Sequence, residues 1–112
     1  MKNLVNVLIL SLFISIASAF AYDPPSKTLL VFGADWCKYC AEAKYDINND
    51  SKVREVIKNY EVIFVDYDVD KDLVDGYNIK TLPTFVILDG TKESSRKVGY
   101  NGGSRGLYKF LK

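Results

Sequence analysis

Cys37 and Cys40, set within Trp36-Cys37-Lys38-Tyr39-Cys40, are the residues best suited to do chemistry in this 112-residue chain. They stand where an apolar run, Thr28 to Phe32, passes through Gly33-Ala34-Asp35 into a helical pattern. On a helix, residues three apart share a face, so the two sulfurs can close a small disulfide ring or open to a dithiol with little backbone movement. The first sulfur then sits at the helix N-terminus. Free amide hydrogens and the positive end of the helix dipole stabilise a thiolate there, lowering its pKa from about 8.5 into a range of roughly 3.5 to 7.5. Lys38 adds a positive charge beside it. Cys37 is therefore the expected attacking nucleophile, and Cys40, one turn deeper and less exposed, the expected resolving thiol. Attack by Cys37 on a disulfide gives a mixed disulfide that Cys40 resolves, and oxidation of a dithiol follows the same path in reverse.

Other uses of two cysteines remain open. A purely structural disulfide would close almost no loop at this separation and so gain little from chain entropy. The chain has no histidine, two cysteines and one methionine, short of the three or four ligands of a closed zinc or copper site within one chain. No metal and no cofactor are expected, although a metal site shared between two chains stays open. The absence of histidine also removes Ser-His-Asp and Cys-His catalysis, each of which needs an imidazole base. Fifteen Lys and Arg against fourteen Asp and Glu give a net charge of +1. That balance lacks the basic excess of a nucleic-acid binder, and no nucleic-acid partner is expected.

The elements that must position the pair follow from periodicity. Thr28 to Phe32 reads as a strand covered on both faces. A helix runs from Trp36 to the break or cap at Asn48-Asn49-Asp50, and a second starts at Asp50 or Ser51 with Val53, Val56, Ile57 and Tyr60 along one face. Glu61 to Tyr67 is a second strand, and Asp68 to Tyr77 a loop holding a short helix. Pro83 to Leu88 and Glu93 to Gly99 make an antiparallel pair turned at Asp89-Gly90, and Leu107, Phe110 and Leu111 give a last helix its apolar edge. A right-handed crossover makes the first two strands parallel. The expected fold is α/β, a four-stranded mixed sheet (βαβ plus ββα) with helices on both faces.

Met1-Lys2-Asn3 followed by the apolar stretch Leu4 to Ala17 has the form of a signal peptide. Small residues recur as Ala17-Ser18-Ala19 and Ala19-Phe20-Ala21, so cleavage is expected after Ala19 or Ala21, with a retained signal anchor as the alternative. Residues 1–21 are thus read as a signal peptide and residues 22–112 as one domain, exported to the periplasm or secreted, with no stable membrane insertion once the signal is removed.

The chain resembles the thioredoxin superfamily over nearly all of the expected mature part. The resemblance is carried by Phe32 to Cys40, by Val65-Asp66-Tyr67-Asp68, by Tyr77 to Phe85 and by Lys97-Val98-Gly99. It implies a thiol-disulfide oxidoreductase, expected to be monomeric, whose partners are protein thiols and disulfides and a second redox protein. It further implies that Pro83 follows a cis peptide bond beside the active-site disulfide, that the backbone of Leu82 pairs with a substrate strand, that Trp36 shields the site, and that Gly99 borders the substrate groove. Lys38 and Tyr39 stand where ordinary thioredoxins carry Gly-Pro. Two departures matter. Val31 falls where the family buries an acid that moves protons to and from the resolving cysteine, and Phe64 where a lysine often opposes it, leaving Asp35 or Glu42 as nearer acids. The direction of electron flow stays open between reductase and oxidase or isomerase, because members span about −270 to −120 mV. A non-enzymatic binding module with an incidental disulfide is the reading from another class.

Asp66 to Asp70 has the alternating acids of a calcium loop, but Lys71 and Tyr77 occupy positions that need glycine and glutamate. Asn49-Asp50-Ser51 matches the short glycosylation pattern, which applies only in a eukaryotic secretory pathway.

Overall fold

A computed structural model describes Pro25 and residues 27–112. The signal-peptide reading of residues 1–21, with its cleavage sites, lies outside the described residues. Strands β1 (Lys27–Gly33), β2 (Tyr60–Asp66), β3 (Thr84–Asp89) and β4 (Lys92–Val98) form one sheet in the order β2-β1-β3-β4. Helices α1 (Lys38–Asn49) and α2 (Ser51–Ile57) connect β1 to β2, α3 (Lys71–Gly76) leads towards β3, and α4 (Gly103–Leu111) follows β4. β1 pairs parallel with β2 and antiparallel with β3, and β3 pairs antiparallel with β4. This is the expected mixed sheet.

Because side chains alternate across a strand, the apolar run of β1 feeds two cores. Leu29 and Val31 join Phe85 and Ile87 on one face, where Ala43 and Ile47 of α1, Val53 of α2, and Leu107 and Leu111 of α4 cover them. Leu30 and Phe32 join Val65 and Val86 on the other, against Val74 of α3 and Ile79. Helices therefore lie on both faces, three on one and the short α3 on the other. A strand buried on both sides has no polar alternation to show, which is why β1 reads as continuous hydrophobicity.

Asp50 separates the first two helices. Its backbone is extended (φ −73°, ψ 126°), and its carboxylate accepts the amide hydrogens of Lys52 and Val53 at 3.1 and 3.0 Å, capping α2. The amide of Val53, foremost among these partners, holds the Asp50 carboxyl below the usual carboxylate range. Tyr60 departs from its expected place on α2. That helix ends at Ile57, a turn at Lys58 and Asn59 follows, and Tyr60 opens β2 instead, its hydroxyl donating to the Leu111 carbonyl at 2.6 Å. Its ring still packs against the first core, which explains why it matched the apolar spacing of the helix. The hairpin turn also shifts by one residue. Asp89 pairs with Lys92 inside the ladder, and Gly90, with φ 64°, and Thr91 make the turn.

The register gathers the conspicuous loops at one end of the sheet. Gly33 pairs with Asp66, Phe32 with Thr84, and Thr84 with Val98. The exit of β1 towards Cys37, the Asp66-Tyr67-Asp68 turn, Pro83 and Gly99 are consequently neighbours, although up to 66 residues of chain separate Gly33 from Gly99.

Candidate active site

Cys37 is the N-cap of α1, with an extended backbone (φ −94°, ψ 111°). Its Sγ accepts the amide hydrogen of Cys40 at 3.2 Å. The sulfur thus takes the place of the side-chain oxygen that usually satisfies a first-turn amide. Cys37 and Cys40 form a disulfide with their Cα atoms 5.2 Å apart. The expected depth of the two is reversed. Cys37 is buried, with 8% of its surface exposed, whereas Cys40 is half-buried. Cys40 borders a groove between α1 and the β2 edge, and Gly33 contributes no side chain there.

That groove is lined by Val31, Asp35, Cys40, Lys44, Phe64 and Asp66, among others. Val31 and Phe64 are direct register partners on β1 and β2. The two residues read as replacing a buried acid and its lysine therefore face each other beside Cys40. Of the two acids considered as substitutes, Asp35 lines the groove with Cys40, while Glu42 is exposed on α1 outside the groove wall. The Lys44 ammonium lies 5.2 Å from the Phe64 ring centroid.

Trp36 is 68% exposed. Its Nε1 donates to Asp68 Oδ2 at 2.9 Å, and its ring meets Tyr67 edge-on at 6.5 Å between centroids. The turn beneath it is held by hydrogen bonds from the Asp68 amide to Asp66 Oδ1 (2.9 Å), from the Asp66 amide to Asp70 Oδ2 (3.0 Å), and from the Tyr67 amide to the Gly33 carbonyl (2.8 Å). Lys38 and Tyr39 are exposed on the first turn of α1, and Asp35 is exposed just before it.

The Leu82–Pro83 peptide bond is cis. Pro83 is fully buried, and the half-buried Leu82 packs against the second core. The Pro83 carbonyl accepts the Gly99 amide hydrogen at 2.8 Å, and Gly99, with φ 80°, lies just past the end of β4. Sequence reasoning passed over Gly33, Lys44 and the anchoring role of Asp68. The spacing of Lys44, four residues after Cys40 on the same helix, was the available signal for it.

Residues 23–110 match a family described as Thioredoxin-like domain. The chain is 39% identical over 77 residues to Thioredoxin 3 of Plasmodium falciparum (isolate 3D7), an alignment covering 63% of this chain and 37% of that one. It is 32% identical over 75 residues to Thioredoxin H5 of Oryza sativa subsp. japonica, covering 65% and 52% respectively. It thus spans about a third to a half of the length of these curated relatives. A thioredoxin-fold protein from Helicobacter pylori superimposes with a TM-score of 0.69 at 27% identity, over 78% of this chain and 67% of the other.

Proposed function

This chain belongs to the thioredoxin-like family, and from that premise we propose that it is a thiol-disulfide oxidoreductase that reduces protein disulfides through the Cys37 and Cys40 couple. The observation that carries the reading is the Cys37 sulfur at the N-cap of α1, bonded to Cys40 and accepting the Cys40 amide hydrogen. In the reduced protein that position favours a thiolate over a thiol. The Cys37 thiolate attacks one sulfur of a client disulfide, and the other client sulfur leaves as a thiolate. Cys40, once deprotonated, attacks the Cys37 sulfur of the mixed disulfide, releasing the second client thiolate and restoring the Cys37–Cys40 bond. Asp35 and Asp66 line the groove that Cys40 borders, and a carboxylate there takes up the Cys40 proton through water.

Client contact is assigned to the sheet end where Trp36, Leu82, Pro83 and Gly99 stand, with Lys38 and Tyr39 on the rim. Exposed aromatic rings offer apolar area there, and an extended client segment can pair with backbone next to Leu82. The partners in this reading are protein disulfides and a second redox protein, and the place of action is outside the cytoplasm, on the strength of the amino-terminal pattern alone.

Reduction of insulin disulfides by the pre-reduced protein tests the activity. Wild type is expected to reduce them and Cys37→Ser, with its fold intact by circular dichroism, to lose the reaction. An unchanged rate in Cys37→Ser would leave only a binding module. The reduction potential then decides direction, a value near −270 mV supporting a reductase and one near −120 mV an oxidase.

A further inference from the structure

The two edges of the sheet are unlike. β4, on one side, carries Lys92, Glu93, Ser94, Ser95, Arg96 and Lys97, and its ladder with β3 is irregular between Ile87 and Leu88. Charged side chains and a broken ladder keep an edge from adding further strands. β2, on the other side, sets Val62, Ile63, Phe64 and Val65 in succession, with no proline or glycine. Among the described residues no strand pairs with its outer edge. Ile63 is 41% exposed and Phe64 46%, the latter even with the Lys44 ammonium over its ring.

The outward hydrogen-bonding groups of β2 follow from the inward ones, because successive residues of a strand direct their amides to opposite sides. The Tyr67 amide donates inward to the Gly33 carbonyl, so the amides of Ile63 and Val65 also turn towards β1. Those of Val62, Phe64 and Asp66 turn away from it. The Asp66 amide is already taken by Asp70 Oδ2. Val62 and Phe64 are left with amides and carbonyls directed off the sheet.

A second copy of the same strand fits this pattern. When it runs antiparallel about a twofold axis at Ile63, Val62 stands opposite the second copy's Phe64 and the two exchange both hydrogen bonds. That contact is also the pairing of β-branched and aromatic side chains that sheets favour. Ile63 meets its own counterpart on the side of the second core. Glu61 faces Val65 and Tyr60 faces Asp66, so no like charges stand directly opposite. The residues leading into β1 are a poorer match, since Pro24 and Pro25 have no amide hydrogen to donate.

We propose that this chain forms a dimer in which β2 pairs antiparallel with β2 of a second copy, centred on Ile63. The joined sheet runs β4-β3-β1-β2 and continues in reverse order through the second copy. Because the copies run in opposite directions, their Cys37 ends point away from each other. Each copy has one adhesive edge and one charged edge, so the assembly closes at two and does not extend into a fibre. The dimer departs from the monomer expected from the resemblance, and it stands whether or not the chain reduces disulfides.

Sedimentation velocity on the full chain over a rising concentration series tests the association. The mass is expected to approach twice that of one chain. Ile63→Lys, which sets two ammonium groups against each other at the axis, is expected to return it to one. Register is read separately by adding Ile63→Cys to a chain that carries Cys37→Ser and Cys40→Ser, so that the new thiol is alone. An antiparallel pair without mutual hydrogen bonds brings Cα atoms to about 4.5 Å, within reach of a disulfide. Mild oxidation should therefore link Ile63→Cys into a covalent dimer and leave Glu61→Cys, made in the same background, as single chains. Circular dichroism checks the fold of each variant, and the crosslinking pair decides alone if Ile63→Lys unfolds. A single-chain mass at every concentration would overturn the dimer. Association that a folded Ile63→Lys leaves intact would do the same, and would assign the assembly to residues before β1 or to another face. Equal crosslinking of Ile63→Cys and Glu61→Cys would overturn the strand pairing.

Discussion

The Cys40 amide hydrogen points at the Cys37 sulfur across 3.2 Å, at the first turn of α1. When the disulfide is reduced, that hydrogen bond and the helix dipole both favour negative charge on Cys37. Alkylation of the reduced protein by iodoacetamide across pH should therefore show a fast thiol with a midpoint between about 3.5 and 7.5, well under the roughly 8.5 of free cysteine. The fast site should map to Cys37. A midpoint matching free cysteine would remove the physical basis of the proposed mechanism.

Trp36 is tethered to Asp68 while most of its ring stays in solvent. An exposed hydrogen bond of this kind contributes little to folding, so Asp68→Ala should change stability by no more than about 0.5 kcal/mol. The ring should nevertheless move, and as Trp36 is the single tryptophan, the change is visible directly in its fluorescence. Client turnover should fall with the fluorescence change, because a freed indole no longer presents one fixed surface. A Tm drop of many degrees would mean that the contact is structural instead.

Gly99 holds φ at 80°, yet nothing lies within 4 Å of where a Cβ would project. Gly99→Ala should then cost about 1 to 2 kcal/mol through backbone strain rather than crowding. Urea unfolding measures the loss. The substitution also perturbs the amide that donates to Pro83, so insulin turnover is expected to decline at temperatures where the variant is still fully folded.

How far the sequence revealed this arrangement depends on whether each feature is local. The cysteine spacing, the Asp50 cap and the apolar run of β1 are short-range signals and could be read directly. The Tyr60 error arose because a residue one turn beyond α2 packs against the same core as the helix itself, so burial periodicity continued after the helix had stopped. The groove that Cys40 borders was illegible for a different reason. Gly33 lines it without a side chain, and Phe64, carried by a strand 24 residues after Cys40, lines it too. The Trp36 to Asp68 contact spans 32 residues and had no local signature.

Tyr100 donates to Asp46 Oδ2 at 2.6 Å, tying the segment after β4 to α1, and its ring belongs to the first core. Tyr100→Phe leaves the Asp46 carboxylate without this donor and should cost about 1 to 3 kcal/mol at neutral pH. Burial, and after it the neighbouring Asp46 carboxylate, raises the Tyr100 hydroxyl pKa above its ordinary 10.0. The unfolded chain therefore loses this proton first. The hydroxyl contributes fully below about pH 10 and progressively less as pH climbs towards the folded value, so the gap between wild type and Tyr100→Phe should narrow in alkaline unfolding experiments.

Val31 offers the sharpest test of the reading that it stands where the thioredoxin resemblance implies a buried acid. Its side chain is buried in the first core, opposite Phe64 in the ladder. Restoring an acid with Val31→Asp places a carboxyl among apolar groups with no partner built for it, and stability at neutral pH should fall by about 2 to 4 kcal/mol. Burial would raise the new carboxyl above its unfolded value of about 3.9. The unfolded chain then ionises first, so the deficit should be smallest below about pH 4 and should widen as pH rises, levelling off once the folded carboxyl has also ionised. Urea unfolding at pH 4 and pH 8 measures both limits. If the deficit were the same at both, the substituted carboxyl would have to be solvated or paired, and Cys40 would then border a more polar groove than the one formed by Val31 and Phe64.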